Sequence, residues 1–188
     1  MSLVIACIDK DKKEQTIYSD GILVTSDGDI LSQFSKKIWC YQDLEYNILI
    51  GTCGGYMFNR FVGIHLPDYI KKHNFSINSE YEYNEELLIN IYYDIVKKYK
   101  EERDNDCIVP QFTHAIAING CLFRVADYDE KQIGCRHIKD DYVCIGMGNS
   151  EARVLMMCNV EIQKIFETVN NINCFVGNVI FKETQKYN

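Results

Sequence analysis

Ser2, Asp20 and Lys37, together with two glycine-rich stretches, are the residues of this chain whose types and spacing could do chemistry. Ser2 follows the initiator. If Met1 is trimmed, the Ser2 hydroxyl stands beside a free α-amine, which is one way to build an activated nucleophile. The plainer reading is an ordinary strand that starts early, and this stretch on its own favours it. A lysine becomes a useful base or electrostatic helper when burial or a second positive charge lowers its pKa, and a carboxylate nearby would orient it. Lys37 and Asp20 fit that pairing; solvated surface positions are the alternative. Gly51-Thr52-Cys53-Gly54-Gly55 and Gly146-Met147-Gly148-Asn149 each fall between an expected strand and an expected helix. Backbone N–H groups at such a junction can bind an anion or an oxyanion. Neither stretch is a P-loop, which requires Gly-Lys-Ser/Thr, and neither sits in the β-α-β repeat of a dinucleotide site. Close packing of helix on strand is the commoner reason for such glycines.

The elements that must position these residues follow from periodicity. Leu3 to Ile8 is an apolar, β-branched run and reads as a buried strand. Asp9 to Glu14 is a charged turn, and Thr16 to Ser19 is a second strand closed by Asp20-Gly21. Ile22 to Thr25 is apolar and is followed by a turn at Ser26-Asp27-Gly28-Asp29. Phe34 to Cys40 is a short basic-then-apolar segment, and Tyr46 to Gly51 is a strand. Beyond Gly55 the period becomes helical, with Met57, Phe61 and Ile64, and Phe58, Val62 and His65, in register; Pro67 interrupts this helix or starts a new turn. His73 to Tyr83 is a polar connection. Asn84 is placed to cap a second helix whose stripe is Leu88, Ile91, Tyr92, Ile95 and Tyr99. Phe112 to Ile118 and Cys121 to Ala126 flank Asn119-Gly120, a strong hairpin signal. Asp127 to Asp141 is polar with one short strand near Ile133. Tyr142 to Ile145 is a strand, and Glu151 to Thr168 is one helix with Leu155, Cys158, Ile162, Ile165 and Phe166 inward. Cys174 to Phe181 is a last strand. Segregated blocks of strands and helices imply an α+β fold, with antiparallel sheets faced by helices.

Composition narrows the function classes. The chain has 188 residues, suited to one domain over residues 1–188, and the apolar fraction of 47% supports a sizeable core. The formal net charge of −7 opposes nucleic-acid binding, which needs basic surface to release counterions. No apolar run approaches a membrane span, so no membrane partner is expected and a cytoplasmic location is. Nine cysteines without a C-x-x-C pair, mostly inside apolar runs, suit a reducing compartment. Neither they nor the four scattered histidines have the clustering of a zinc site, and no metal or cofactor is expected.

Five features in one order carry a family resemblance: the early strand headed by Ser2, Ser19-Asp20-Gly21 at the end of the second strand, Lys36-Lys37-Ile38, Gly51 to Gly55 before a helix, and Ile145-Gly146-Met147-Gly148-Asn149 before another. That order resembles the N-terminal-nucleophile (Ntn) hydrolases of the proteasome β-subunit and HslV peptidase type, over nearly the whole chain. The resemblance implies a four-layer αββα sandwich and a threonine-type peptidase mechanism acting on a peptide or protein. It makes Ser2 the nucleophile after Met1 removal, its α-amine the proton relay, Lys37 the lysine that lowers the pKa of both, Asp20 its acidic partner, and Gly54 the source of the oxyanion N–H. It also implies a homo-oligomeric ring and, for HslV types, an ATP-dependent unfoldase partner. Two positions depart. Met147 stands where the family usually has a relay serine, and Asn170 to Cys174 lacks the usual late aspartate. A non-catalytic homologue serving as a ring subunit or binding module is therefore the alternative, and an amidohydrolase on the same fold is a third.

Overall fold

The chain is described by a computed structural model over residues 2–24, 30–77, 81–104, 106–129, 132–173, 176–177 and 179–187. Met1, the turn expected at Ser26 to Asp29, and Cys174 lie outside the described residues. In chain order the elements are β1 (Leu3–Asp9), β2 (Glu14–Asp20), β3 (Leu23–Val24), β4 (Ile30–Ser32), β5 (Ile38–Gln42), β6 (Asn47–Gly54), α1 (Tyr56–Lys72), α2 (Tyr81–Arg103), β7 (Phe112–Ile118), β8 (Cys121–Asp129), β9 (Gln132–Ile138), β10 (Tyr142–Gly146), α3 (Asn149–Met157), α4 (Ile162–Ile172) and β11 (Ile180–Lys186).

β1 explains the layering. Alternate side chains of a strand point to opposite faces. Leu3 and Ile5 join a cluster with Ala152, Ile165, Phe166 and Val169 of α3 and α4. Val4, Ala6 and Ile8 join Ile17, Leu49, Ala115 and Ala117 in a second cluster that lies between two sheets. A strand covered on both faces must be apolar at every position, which is why its sequence does not alternate. The sheet containing it has the order β10-β1-β2-β11, and the facing sheet has the order β5-β6-β7-β8-β9, each with antiparallel neighbours. A third cluster covers the outer face of the second sheet with the α2 stripe, Leu88, Ile91, Tyr92, Ile95 and Tyr99, and with Phe58, Val62 and Leu66 of α1. The layers are thus helices, sheet, sheet, helices: the αββα sandwich expected. The two sheets approach closely at Gly51, where a Cβ would lie 2.5 Å from Val4 Cγ1 and 2.9 Å from Ile17 Cγ2.

The Asn119-Gly120 hairpin forms as read, with φ of 45° and 82° at its two central residues. Several boundaries differ from expectation. Pro67 neither interrupts nor ends α1, which runs on to Lys72 with Leu66, Pro67 and Ile70 buried. An interior proline costs about 3 kcal/mol, and burying Leu66 and Ile70 returns about 1.5–3 kcal/mol each. Asn84 does not cap α2 but sits buried inside it, one turn before Leu88 on the same face. The helix expected from Glu151 to Thr168 is two helices. Asn159 takes φ 54°, Val160 donates back to the Leu155 carbonyl, and Cys158 is exposed at the break rather than inward. β9 spans seven residues where one short strand was expected. Of the last strand expected from Cys174 to Phe181, Ile180 and Phe181 belong to β11, while Val176, Gly177 and Val179 lie outside it; β11 pairs residue by residue with β2. β9 and β11 are both edge strands, which tolerate polar and charged residues.

Candidate active site

Asp20 and Lys37 come together. Lys37 Nζ lies 2.7 Å from Asp20 Oδ1, with the carboxylate fully enclosed and the lysine side chain 7% exposed. β2 delivers Asp20 as its last residue, and Lys37 immediately precedes β5 in the other sheet, so the ion pair bridges the two sheets. The Lys37 carbonyl is held by the N–H of buried Thr52 at 3.1 Å, which fixes the backbone from which the lysine extends. Asp20 has two further partners. The Gly177 N–H donates to Oδ2 at 2.9 Å, and the Leu3 N–H also donates to the carboxylate. Burial pushes the Asp20 carboxyl up from the ordinary carboxylate range, against the opposing pull of the Lys37 ammonium and the two N–H groups.

The Leu3 contact matters because Leu3 follows Ser2. The carboxylate that holds Lys37 therefore also holds the first peptide of β1. Ser2 is buried, 4% exposed. Its carbonyl oxygen accepts the Met147 N–H at 2.7 Å, just after β10. Gly146 precedes Met147 with φ 89°, and a Cβ there would lie 1.9 Å from the same Ser2 oxygen. Glycine is thus required for that approach.

Met147 occupies the expected position, but its half-buried side chain packs with the cluster of Leu3, Ile5, Phe166 and Val169. Its contribution to the site is its main-chain N–H. Gly54 ends β6 with φ 110°, backed by the Gln111 carbonyl oxygen, 2.2 Å from where a Cβ would be. The neighbouring Cys53 places Sγ 3.9 Å from the Ser2 carbonyl oxygen. Burial, reinforced by Asp20, pushes the Cys53 thiol up to about 12, so it is neutral and unreactive near neutrality.

Sequence reasoning missed the contribution of Gly177. The stretch from Asn170 to Asn173 carries no carboxylate, as noted, and the chain shortly beyond it returns to Asp20 through a main-chain donor instead. Nothing in the sequence marks that contact apart from the glycine itself, whose Cβ would press on Ile22 at 3.1 Å. Ser19, fully buried beside Asp20 and opposite Val4, was also not singled out as a site residue; its Oγ has no hydrogen-bond partner among the described residues. No cluster of three or more His, Cys, Asp or Glu side chains suited to a metal occurs among the described residues, and no helix among them is long and apolar enough to cross a membrane.

No protein-family description matches the sequence, and no curated protein is similar to it at a significant level. Solved structures do match in fold. The crystal structure of eukaryotic HslV from Trypanosoma brucei superposes with a TM-score of 0.66 at 12% identity, over 98% of this chain and 99% of that one. Anbu, described as an ancestral β-subunit, from Yersinia bercovieri gives 0.61 at 12% identity, over 97% of this chain and 80% of that one. An Anbu mutant from Hyphomicrobium gives 0.58 at 14% identity, over 100% and 84%. These likenesses establish the proteasome-like αββα fold.

Proposed function

We propose that the chain is a divergent Ntn hydrolase of the proteasome β-subunit and HslV type that cleaves peptide bonds with Ser2 as nucleophile once Met1 is removed. The observation that carries this reading is the Asp20 carboxylate, which accepts from both the Lys37 ammonium and the Leu3 N–H. One group thereby ties a buried cation to the peptide adjoining Ser2. In the proposed reaction Ser2 Oγ attacks the substrate carbonyl carbon, and the hydroxyl proton passes to the Ser2 α-amine. An α-amine titrates near pH ~8, within reach of neutrality. The Lys37 ammonium, paired with Asp20 at 2.7 Å, would favour the deprotonated forms of both groups. The Gly54 N–H would donate to the oxyanion; a lost donor of this kind costs about 3–4 kcal/mol of transition-state stabilisation. Collapse expels the amine product with the relayed proton and leaves an acyl ester on Ser2, which water hydrolyses.

The reading extends to residues 1–188 as one such domain, to a homo-oligomeric ring, to a cytoplasmic location and, by the HslV likeness, to an ATP-dependent unfoldase partner. A second reading is favoured by one observation: Met147 offers a main-chain donor and an apolar side chain where the family usually has a relay serine. On that reading the chain is a non-catalytic subunit or binding module. Labelling by a peptide vinyl sulfone separates the two. A covalent adduct that maps to Ser2 and disappears in Ser2→Ala supports the hydrolase; its absence from Met1-free protein supports the non-catalytic subunit.

A further inference from the structure

Away from Ser2, the chain places two arginines where neither stabilises the other. Arg124 on β8 and Arg136 on β9 are directly opposed across antiparallel strands, an arrangement that destabilises a sheet when the charges are alike. Arg124 lies two residues after Leu122, a member of the layer between the sheets, so the pair shares that inward face. They sit at the margin of the sandwich where β9 and β10 are edge strands. Among the described residues, Arg124 Nε is enclosed without a hydrogen-bond partner, and no carboxylate pairs with either guanidinium.

Both arginines line a cavity of about 870 Å³, within the size range of small-ligand sites. Arg153 of α3 lines it too, so three of the chain's five arginines meet there in a protein of net charge −7. The wall is not uniformly basic. Glu82, Glu85 and Asp140 also face the cavity, and Glu85 is engaged by the His137 N–H at 2.6 Å.

We propose that Arg124 and Arg136 form an anion-binding site that takes the phosphate or carboxylate of a small ligand. A guanidinium presents parallel N–H donors that match either group. An anion between the two forks converts a cross-strand repulsion into two attractions and gives the enclosed Nε of Arg124 an acceptor. The carboxylates of Glu82, Glu85 and Asp140 in the same lining select against an extended polyanion. They suit a ligand with one anionic end and hydrogen-bond donors at the other. The site does not depend on Ser2 or on hydrolysis.

The test is thermal unfolding of the full chain titrated with inorganic phosphate and, separately, with malonate, each at constant ionic strength held with chloride. The expected result is a saturable rise in Tm with at least one of the two, and the stronger response assigns the head group. Arg124→Gln and Arg136→Gln each weaken that binding at least about tenfold, the loss of one charge-assisted hydrogen-bonded group. Without anion, Arg136→Gln is at least as stable as wild type, because the like-charge opposition is gone. Failure of wild type to respond to either anion overturns the proposal, as does an equal response in wild type and both variants.

Discussion

The Met147 N–H donates to the Ser2 carbonyl oxygen at 2.7 Å, across the passage from β10 to α3. Met147 therefore positions the head of β1 through its main chain while its side chain belongs to the core beneath α3 and α4. The two roles are separable by substitution. Met147→Ser keeps the main-chain donor and supplies a hydroxyl. We expect it to increase the rate of vinyl sulfone labelling at Ser2 by at least about tenfold, since a positioned proton-transfer group is worth about 10²–10⁴-fold. It should also lower stability by about 2 kcal/mol, the low end for truncating a packed methionine. Labelling rates and urea midpoints read both effects.

Gly146→Ala strikes the same contact from the other side. The new Cβ would fall 1.9 Å from the Ser2 oxygen in a residue held at φ 89°. The left-handed conformation alone costs an alanine about 1–2 kcal/mol, and displacement of the Ser2 carbonyl adds to it. The expected outcome is a loss of more than about 2 kcal/mol in urea unfolding, with labelling at Ser2 reduced. An alanine variant as stable as wild type would show that the Ser2 and Met147 segments are not locked together.

The buried ion pair gives an asymmetric expectation. Lys37→Met leaves Asp20 enclosed without its cation, and Asp20→Asn leaves Lys37 enclosed without its anion. Breaking one side of a buried pair costs about 3–5 kcal/mol. The double variant should recover part of that loss, because no charge is then stranded. A double-mutant cycle by chemical unfolding measures this, and strictly additive losses would contradict the pairing.

His114 supplies a pH signature. It is fully buried on β7, with Tyr92 Oη 2.7 Å from Nδ1 and Asn59 Oδ1 2.9 Å from Nε2. A neutral ring satisfies both contacts: Nδ1 accepts from the tyrosine hydroxyl, and Nε2–H donates to the amide oxygen. Burial pulls its pKa down from 6.5 to about 3. Between those values the unfolded chain binds a proton that the folded chain does not, so stability increases with pH across that window. The contribution is fully present above about pH 6.5 and is lost as pH falls toward 3, at up to about 1.4 kcal/mol per pH unit. His114→Gln should flatten that part of the curve, measured as urea midpoints from pH 7 to pH 4. An unchanged slope would contradict a neutral buried ring.

The fold was legible where one local signal coincided with one tertiary environment. The α2 stripe and the Asn119-Gly120 hairpin are of this kind, since helical spacing and a turn with positive φ need no knowledge of neighbours. The unbroken apolar run of β1 correctly indicated burial, and the two faces that enclose it became visible only in the sandwich. What misled was polar sequence at sheet edges. Beyond Phe181, where the expected last strand ends, β11 is polar in sequence, yet Gln185 is buried because Gln15 Nε2 donates to its Oε1 at 2.9 Å and its own Nε2 donates to the Tyr41 carbonyl at 2.7 Å. The α3–α4 break was hidden because Asn159 sits amid residues of helical period. At the site, residue types at Ser2, Asp20 and Lys37 suggested a pairing, and the structure shows Asp20 and Lys37 in contact. The Leu3, Met147 and Gly177 contributions run through main-chain N–H groups, which side-chain identity does not encode.

The most direct test of Ser2 as a nucleophile is the intact mass of the purified protein after exposure to a peptide epoxyketone, which requires both a hydroxyl and a free α-amine on one residue. We expect a chain lacking Met1 that carries one reagent, with the adduct absent in Ser2→Ala. A chain that lacks Met1 and remains unmodified would contradict the hydrolase reading.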